Sequence, residues 1–224
     1  MMKNYIKSSA YVLFLFIFCS CAYLSDQNEK TNANEKNEVT RSVTELRDTL
    51  EKDTVRSKYL KHIIWQSTQE VTYDPSYFVL KYPNGDVPAN KGVCVDVPIR
   101  GLRTIGIDLQ KLVHEDIKSH LSAYHLNHAD RNIDHRRCVN LIIYFKRQNQ
   151  TIPVSDKEVD YHPGDLVFWD IARGHVGVVT NKKVPGTNRY YLVHNICCGP
   201  QMEDFLFAAP IVCHVPYVKL VLVH

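Results

Sequence analysis

Residues 166–196 read LVFWDIARGHVGVVTNKKVPGTNRYYLVHNI, and this stretch decides the fold. It contains three runs of β-branched and aromatic residues, Leu166–Trp169, His175–Thr180 and Tyr190–Ile196, with Gly, Pro and Asn between them. Such runs, separated by turn-forming residues, are typical of antiparallel strands. The C-terminal third of the chain therefore predicts an antiparallel sheet.

The sequence on the N-terminal side of this sheet has helical spacing instead. Apolar residues recur every three or four positions over Val43–Ile64, and further helices are expected over Cys94–Ile105 and Leu109–Leu121. On the other side, a last strand is expected at Ile211–Val215 or at Tyr217–Val223. Helices first and strands afterwards predict an α+β domain, with N-terminal helices packed on a C-terminal antiparallel β-sheet.

The N-terminus has the pattern of an export signal. Lys3 and Lys7 precede the apolar run Tyr11–Phe18, and Cys21 follows shortly after it. This order predicts a lipoprotein signal peptide with Cys21 as the lipid attachment site; an uncleaved membrane anchor is the alternative. We expect a lipid-anchored protein of the bacterial cell envelope, in the periplasm or the outer membrane. The expected boundaries are 1–20 for the signal peptide, 21–40 for a polar flexible tether and 41–224 for a single domain.

Composition limits the partners of this domain. Two of the 27 basic residues lie in the leader, which leaves 25 against 24 acidic residues. A nearly neutral body lacks the clustered Lys and Arg on which nucleic-acid binding depends, so no nucleic-acid partner is expected. The sequence has neither a His-Glu-x-x-His string nor a Cys-x-x-Cys pair, and we expect no metal and no cofactor.

Five cysteines follow the leader, namely Cys94, Cys138, Cys197, Cys198 and Cys213. In an oxidising compartment they allow two disulfides and one free thiol, in a pairing that the sequence leaves open. Cys94 stands at the expected start of a helix, where free N–H groups and the helix dipole lower a thiol pKa and bind an oxyanion. It is the candidate nucleophile; a buried structural cysteine is the alternative.

Two histidines supply a candidate base and its partner. His175 begins one predicted strand and His194 lies near the end of the next. If Thr180 and Arg189 bracket the loop between them, the two histidines stand opposite each other, with Cβ atoms about 4.5–5.5 Å apart. A slip of one residue would place them on opposite faces. We predict that His175 is the base and that His194 orients it, as nucleophilic cysteine catalysis requires.

Several strings resemble the NlpC-type cell-wall cysteine peptidases of the papain-like superfamily. They are Gly92-Val-Cys94, Pro163-Gly-Asp-Leu166, Gly174-His-Val-Gly-Val178 and Val193-His194. The resemblance implies a papain-like (NlpC-type) fold and the catalytic triad Cys94, His175 and His194. It also implies an oxyanion role for Tyr82, which stands twelve residues before Cys94. Asp96 departs from the pattern, because those enzymes usually carry Asp-Cys-Ser around the nucleophile.

The chain is also similar to the domain-of-unknown-function 1287 family (DUF1287), which is grouped with the papain-like fold. The strings that carry this similarity are Tyr82–Pro88, Gly106–Asp116, Asp130–Arg137 and Val193–Ile196.

We expect the substrate to be bound by polar residues beside the triad, namely Asp96, Asp134, His135, Arg136 and Asn195. A guanidinium of Arg136 or Arg137 can hold a substrate carboxylate through two hydrogen bonds, and cell-wall peptides carry free carboxylates. The alternative for this tract is a loop held together by its own ion pairs.

These patterns predict a cysteine hydrolase that cleaves an amide bond in peptidoglycan stem peptides or other cell-wall peptides. The NlpC resemblance implies a cut between D-Glu and the diamino acid. Two alternatives remain. One is an acyltransferase that uses the same triad with an amine as acceptor, and the other is a non-catalytic envelope-binding lipoprotein.

Overall fold

The computed structural model describes residues 54–222, so the predicted leader, Cys21 and the tether lie outside the described residues. The helices of this part are α1 (residues 54–66), α2 (Asp96–Arg103), α3 (Leu109–Ser119), α4 (Cys138–Arg147) and α5 (Tyr217–Val221). Its strands are β1 (Thr72–Tyr73), β2 (Lys91–Gly92), β3 (Leu166–Trp169), β4 (His175–Lys183), β5 (Tyr190–His194), β6 (Gln201–Glu203) and β7 (Ile211–Val215). Within residues 54–222 no helix is long and apolar enough to cross a membrane.

The architecture is α+β, as predicted. Strands β3 to β7 form one antiparallel sheet in the spatial order β6-β5-β4-β3-β7, and β1 pairs in parallel with β2 in a separate two-stranded sheet. The predicted strand at Ile211–Val215 is confirmed, whereas the alternative over Tyr217–Val223 is wrong where it is described, because that segment forms α5. The helix after Cys94 begins at Asp96, and Pro98 lies in its first turn, where the missing N–H has no helical partner.

The central part of the sheet is buried on both faces. Side chains alternate along a strand, so Leu166 and Phe168 of β3 pack in the larger core beneath the helices, while Val167 and Trp169 pack in a smaller cluster on the other face. Leu206 belongs to that smaller cluster, and its carbonyl accepts a hydrogen bond from Trp169 Nε1. This alternation decides on which side of the sheet each functional side chain emerges.

The Pro163-Gly-Asp string anchors the start of β3. Gly164 has a φ of +99°, and a Cβ there would lie 2.8 Å from Tyr217 Cδ2, so the position requires glycine. The buried Asp165 carboxylate accepts hydrogen bonds from the backbone N–H groups of His162 and Tyr217, and its Oδ2 lies 2.8 Å from His214 Nε2. The motif therefore fixes how β3 is held against α5 and β7.

Candidate active site

Cys94 lies between β2 and α2 and lines a cleft of about 460 Å³. Its side chain is 6 % exposed, and helix α2 begins two residues later. Within residues 54–222, no acceptor is bonded to the backbone N–H groups of Cys94 and Val95. These N–H groups are suited to bind the negative oxygen that forms when a thiolate attacks a carbonyl. The cleft is lined by Tyr73, Pro75, Val93, Cys94, Val95, Ile133, Arg136, Arg137, Cys138, Val139, Arg173 and Gly174.

The two candidate histidines are in contact. His175 Nε2 and His194 Nδ1 are 3.0 Å apart, and both side chains are buried. The predicted register is wrong by two residues, because His194 pairs with Gly177 rather than with His175. The predicted loop bounds are the reason, because the pairing continues to Lys183 and Tyr190, with a register irregularity between Val179 and Lys183. Since a shift of two keeps every side chain on its face, the histidines still meet, as diagonal neighbours.

Gly177 makes room for this contact. A Cβ at position 177 would lie 3.1 Å from His194 Cβ and 3.1 Å from Trp169 Cη2. The Trp169 ring in turn lies beside both imidazoles, with ring centroids 5.7 Å from His175 and 6.3 Å from His194. The second glycine of the Gly-His-Val-Gly string, Gly177, therefore leaves the space that the His194 and Trp169 side chains occupy.

Burial keeps His194 neutral. Desolvation, with a smaller contribution from the charge of His175, lowers the pKa of His194 to about 4. The Glu203 carboxylate lies 3.0 Å from His194 Nε2, and its position favours the tautomer of His194 with the proton on Nε2. His194 Nδ1 is then the acceptor for the Nε2–H of His175. That arrangement leaves His175 Nδ1 as the nitrogen that can take a proton from Cys94.

The thiol of Cys94 is acidified by its surroundings. Its pKa falls to about 5, and the largest cause is a hydrogen bond from Cys138, whose Sγ lies 3.7 Å from Cys94 Sγ. Burial opposes this shift, while His175 and the backbone N–H of Val176 reinforce it. The pKa of Cys138 moves far upward, because the neighbouring Cys94 thiolate and burial both favour its S–H form. Cys94 is therefore the thiolate of the pair and Cys138 the donor.

Tyr82, the predicted oxyanion residue, does not line this cleft. Its hydroxyl lies 3.3 Å from Glu115 Oε1, and its ring packs edge-on against His114. Tyr73 lines the cleft instead, because the parallel pairing of β1 with β2 places it beside Gly92. The sequence gave no sign that Tyr73 would line the cleft in place of Tyr82, because the position of Tyr73 depends on the pairing of β1 with β2.

Two of the predicted substrate-binding residues are engaged with each other. Asp96 and Arg136 are both buried and form a bidentate ion pair, with Nε–Oδ1 and Nη2–Oδ2 distances of 3.0 and 2.9 Å. Asp96 Oδ2 also accepts the backbone N–H of Val93, at 2.7 Å. The pair connects the turn that carries Cys94 to the segment before α4, so Arg136 is bound to a carboxylate from outside the Asp130–Arg137 tract.

The other three predicted substrate-binding residues are also buried in the protein. Asp134 Oδ2 lies 2.8 Å from His114 Nδ1 and accepts the backbone N–H of Asp130. His135 is fully buried with its Nδ1 unpaired, and desolvation lowers its pKa to about 3. Asn195 Nδ2 lies 3.4 Å from the carbonyl oxygen of Gly92, so it connects the end of β5 to the Cys94 turn. None of the three lines the cleft.

Comparison with known proteins agrees with the strings quoted above. The family described as a domain of unknown function, DUF1287, matches residues 61–217. This chain belongs to the DUF1287 family. It is also 46 % identical to the uncharacterized protein YijF of Escherichia coli (strain K12) over 152 residues, which cover 65 % of this chain and 73 % of that protein. No solved structure matches the chain.

Proposed function

We propose that this DUF1287 protein is a cysteine hydrolase of the papain-like, NlpC type, which cleaves an amide bond in cell-wall peptides. The observation that supports it best is the relay from Cys94 through His175 to His194, in which each member is buried and held by the next. An acidified thiol, a base and a neutral orienting group are the three parts that cysteine catalysis needs.

The proposed reaction uses these residues in order. His175 Nδ1 takes the proton of Cys94, and Sγ attacks the amide carbonyl carbon. The resulting oxyanion is held by the N–H groups of Cys94 and Val95 and by the Tyr73 hydroxyl. The C–N bond then breaks as His175 returns its proton to the leaving amine, which leaves a thioester on Cys94. Water attacks the thioester while His175 accepts its proton, and the carboxylic acid product leaves the regenerated thiol.

The walls of the cleft favour a substrate with a free carboxylate. Arg137 and Arg173 both line the cleft and are exposed, and neither forms an ion pair within residues 54–222. No acidic side chain is among the lining residues. Two unpaired guanidinium groups beside the nucleophile match the carboxylates of stem peptides. The sequence suggested Arg136 or Arg137 for this contact, whereas Arg173 was not predicted. Export to the envelope, proposed from the leader, would bring the enzyme to this substrate.

The test is digestion of purified muropeptides by the full-length chain in a non-ionic detergent, followed by mass spectrometry. We expect new fragments whose masses identify the bond, and no fragments from Cys94→Ala. Cys197→Ala is the matched control, because its thiol is exposed and lies outside the cleft, so it should cleave like the wild type.

Other outcomes of this digestion would replace the proposal. Products joined to an added amine instead of water would indicate an acyltransferase. Absence of products from intact sacculi and from muropeptides, with retained binding to both, would indicate a binding protein.

A further inference from the structure

A second thiol lies against the candidate nucleophile, and the proposed reaction does not consume it. Cys138 is the first residue of α4 and is 5 % exposed. Its Sγ is 3.7 Å from Cys94 Sγ, and both cysteines are free and line the same cleft. A disulfide has an S–S distance of about 2.05 Å, so the two sulfur atoms need to approach by less than 2 Å, on the order of a change in side-chain rotation.

The surroundings of Cys138 hold it in place. Gly174 has a φ of +95°, and a Cβ there would lie 2.8 Å from Cys138 Cβ, so the backbone of the loop before β4 packs directly on this cysteine. On the other side, the Asp96–Arg136 ion pair holds the residues just before Cys138 to the residues just after Cys94. The loop before β4 and the Asp96–Arg136 ion pair thus hold the Cys138 thiol close to the Cys94 thiol.

We propose that Cys94 and Cys138 form a reversible disulfide, which makes the pair a redox modification site that blocks the nucleophile. The co-reactant is a disulfide, either of a protein dithiol oxidase or of a small thiol such as glutathione. The site itself does not depend on the proposed hydrolase activity, whereas its consequence for turnover does.

The chemistry proceeds in two balanced steps. The Cys94 thiolate attacks one sulfur of the incoming disulfide, forms a mixed disulfide and releases the first thiolate. The Cys138 thiol then attacks Cys94 Sγ, the mixed disulfide bond breaks, and the second thiolate leaves with the proton of Cys138. Overall, two cysteine thiols are oxidised by two electrons and one disulfide is reduced to two thiols.

The first step also prepares the second. The pKa of Cys138 is raised mainly by its hydrogen bond to the Cys94 thiolate. Once Cys94 is in a mixed disulfide that negative charge is gone, so the main obstacle to ionising Cys138 disappears. The first-turn N–H groups of α4 and the exposed guanidinium groups of Arg137 and Arg173 then favour the Cys138 thiolate.

The test places the reduced full-length chain, in detergent, in buffers of increasing ratio of oxidised to reduced glutathione. Samples are quenched with acid, alkylated and digested without reduction for mass spectrometry. We expect a peptide pair cross-linked through Cys94 and Cys138, and a loss of Cys94 alkylation of about tenfold or more that dithiothreitol reverses. In Cys138→Ser and in Cys138→Ala, Cys94 should instead accumulate the glutathione adduct.

The proposal is overturned if the wild type accumulates the same adduct on Cys94 without a cross-link, or if Cys94 pairs with another cysteine. The wild-type peptide map decides this even if a variant does not fold. Because the map needs no turnover, failure of the disulfide and failure of the hydrolase proposal are read separately. If the hydrolase is active, oxidised protein should be inactive and regain full activity with dithiothreitol.

Discussion

The pKa of the Cys94 thiol is lowered by residues that lie far from it in sequence. The sequence predicts Cys94, His175 and His194 because each stands in a local string: a glycine turn before a helix, a Gly-His-Val-Gly strand and the end of the next strand. Cys138 and Tyr73 have no such string. They reach Cys94 through the packing of α4 and the parallel pairing of β1 with β2, which are contacts between distant segments.

The protonation of Cys94 gives a prediction at this scale. With its pKa near 5, Cys94 is a thiolate at neutral pH, so alkylation by iodoacetamide should be nearly constant from pH 6.5 to 8 and fall by half near pH 5. Cys138→Ala removes the largest cause of the lowered pKa, and His175→Ala removes another. Both variants should move the midpoint upward by at least about one pH unit.

Cys213 is the internal control for this measurement. It is buried in β7, away from the cleft, and burial raises the pKa of its thiol to about 11. Its alkylation should be negligible throughout the same range. A Cys94 profile that rises only above pH 8, like that of an ordinary thiol, would contradict the proposed thiolate.

At the scale of elements, the pairing of β4 with β5 shows what a pattern can and cannot determine. The runs of β-branched and aromatic residues predict both strands, whereas the contact of the two histidines was predicted only for an assumed loop. The register depends instead on how the chain turns between Val179 and Tyr190, where an irregularity shifts the pairing by two residues. Hydrophobic alternation is unchanged by a shift of two, so no pattern of period two distinguishes the registers.

Gly177→Ala tests whether the space beside Gly177, which the His194 and Trp169 side chains occupy, is needed for the contact between the two histidines. The added Cβ is in close contact with both His194 and Trp169, which are buried and held by other partners. We expect a loss of about 1–3 kcal/mol in the free energy of unfolding, as for other overpacked cores. We also expect slower alkylation of Cys94 at pH 6, because His194 is displaced from His175. Urea denaturation and alkylation rates measure the two effects.

Gly186→Ala is the matched control for that variant. Gly186 has a φ of +76°, and an added Cβ meets nothing within 4 Å, so the change strains only the backbone of a turn, by about 1 kcal/mol. It should lower stability and leave the alkylation of Cys94 at the wild-type rate. Equal slowing in both variants would show that general destabilisation, and not the His194 position, is responsible.

At the scale of the whole molecule, two buried histidines make stability sensitive to acid. Burial lowers the pKa of His135 to about 3 and that of His194 to about 4, whereas an unfolded histidine titrates near 6.5. Between these values the unfolded chain binds protons that the folded chain does not. The contribution of these two histidines to stability is therefore complete above about pH 6.5 and falls as the pH drops, by about 2 kcal/mol per histidine between pH 6.5 and 5.

Urea denaturation at pH 7, 6 and 5 measures this dependence. His135→Gln should lower the overall stability but flatten the slope against pH, since one of the two histidines no longer titrates. His128→Gln, at an exposed position, should leave both the level and the slope unchanged. An unaltered slope in His135→Gln would assign the acid sensitivity to other groups.

The Asp96–Arg136 ion pair has a consequence for how this sequence can change over generations. Either residue alone would leave a buried charge without its partner, at a cost of about 3–5 kcal/mol, so a mutation at one position is tolerated only with a compensating mutation at the other. Substitutions at positions 96 and 136 should therefore occur together, although 40 positions separate the two residues. In this chain the constraint favours keeping the turn of Cys94 close to the start of α4, and with it the contact between the Cys94 and Cys138 thiols.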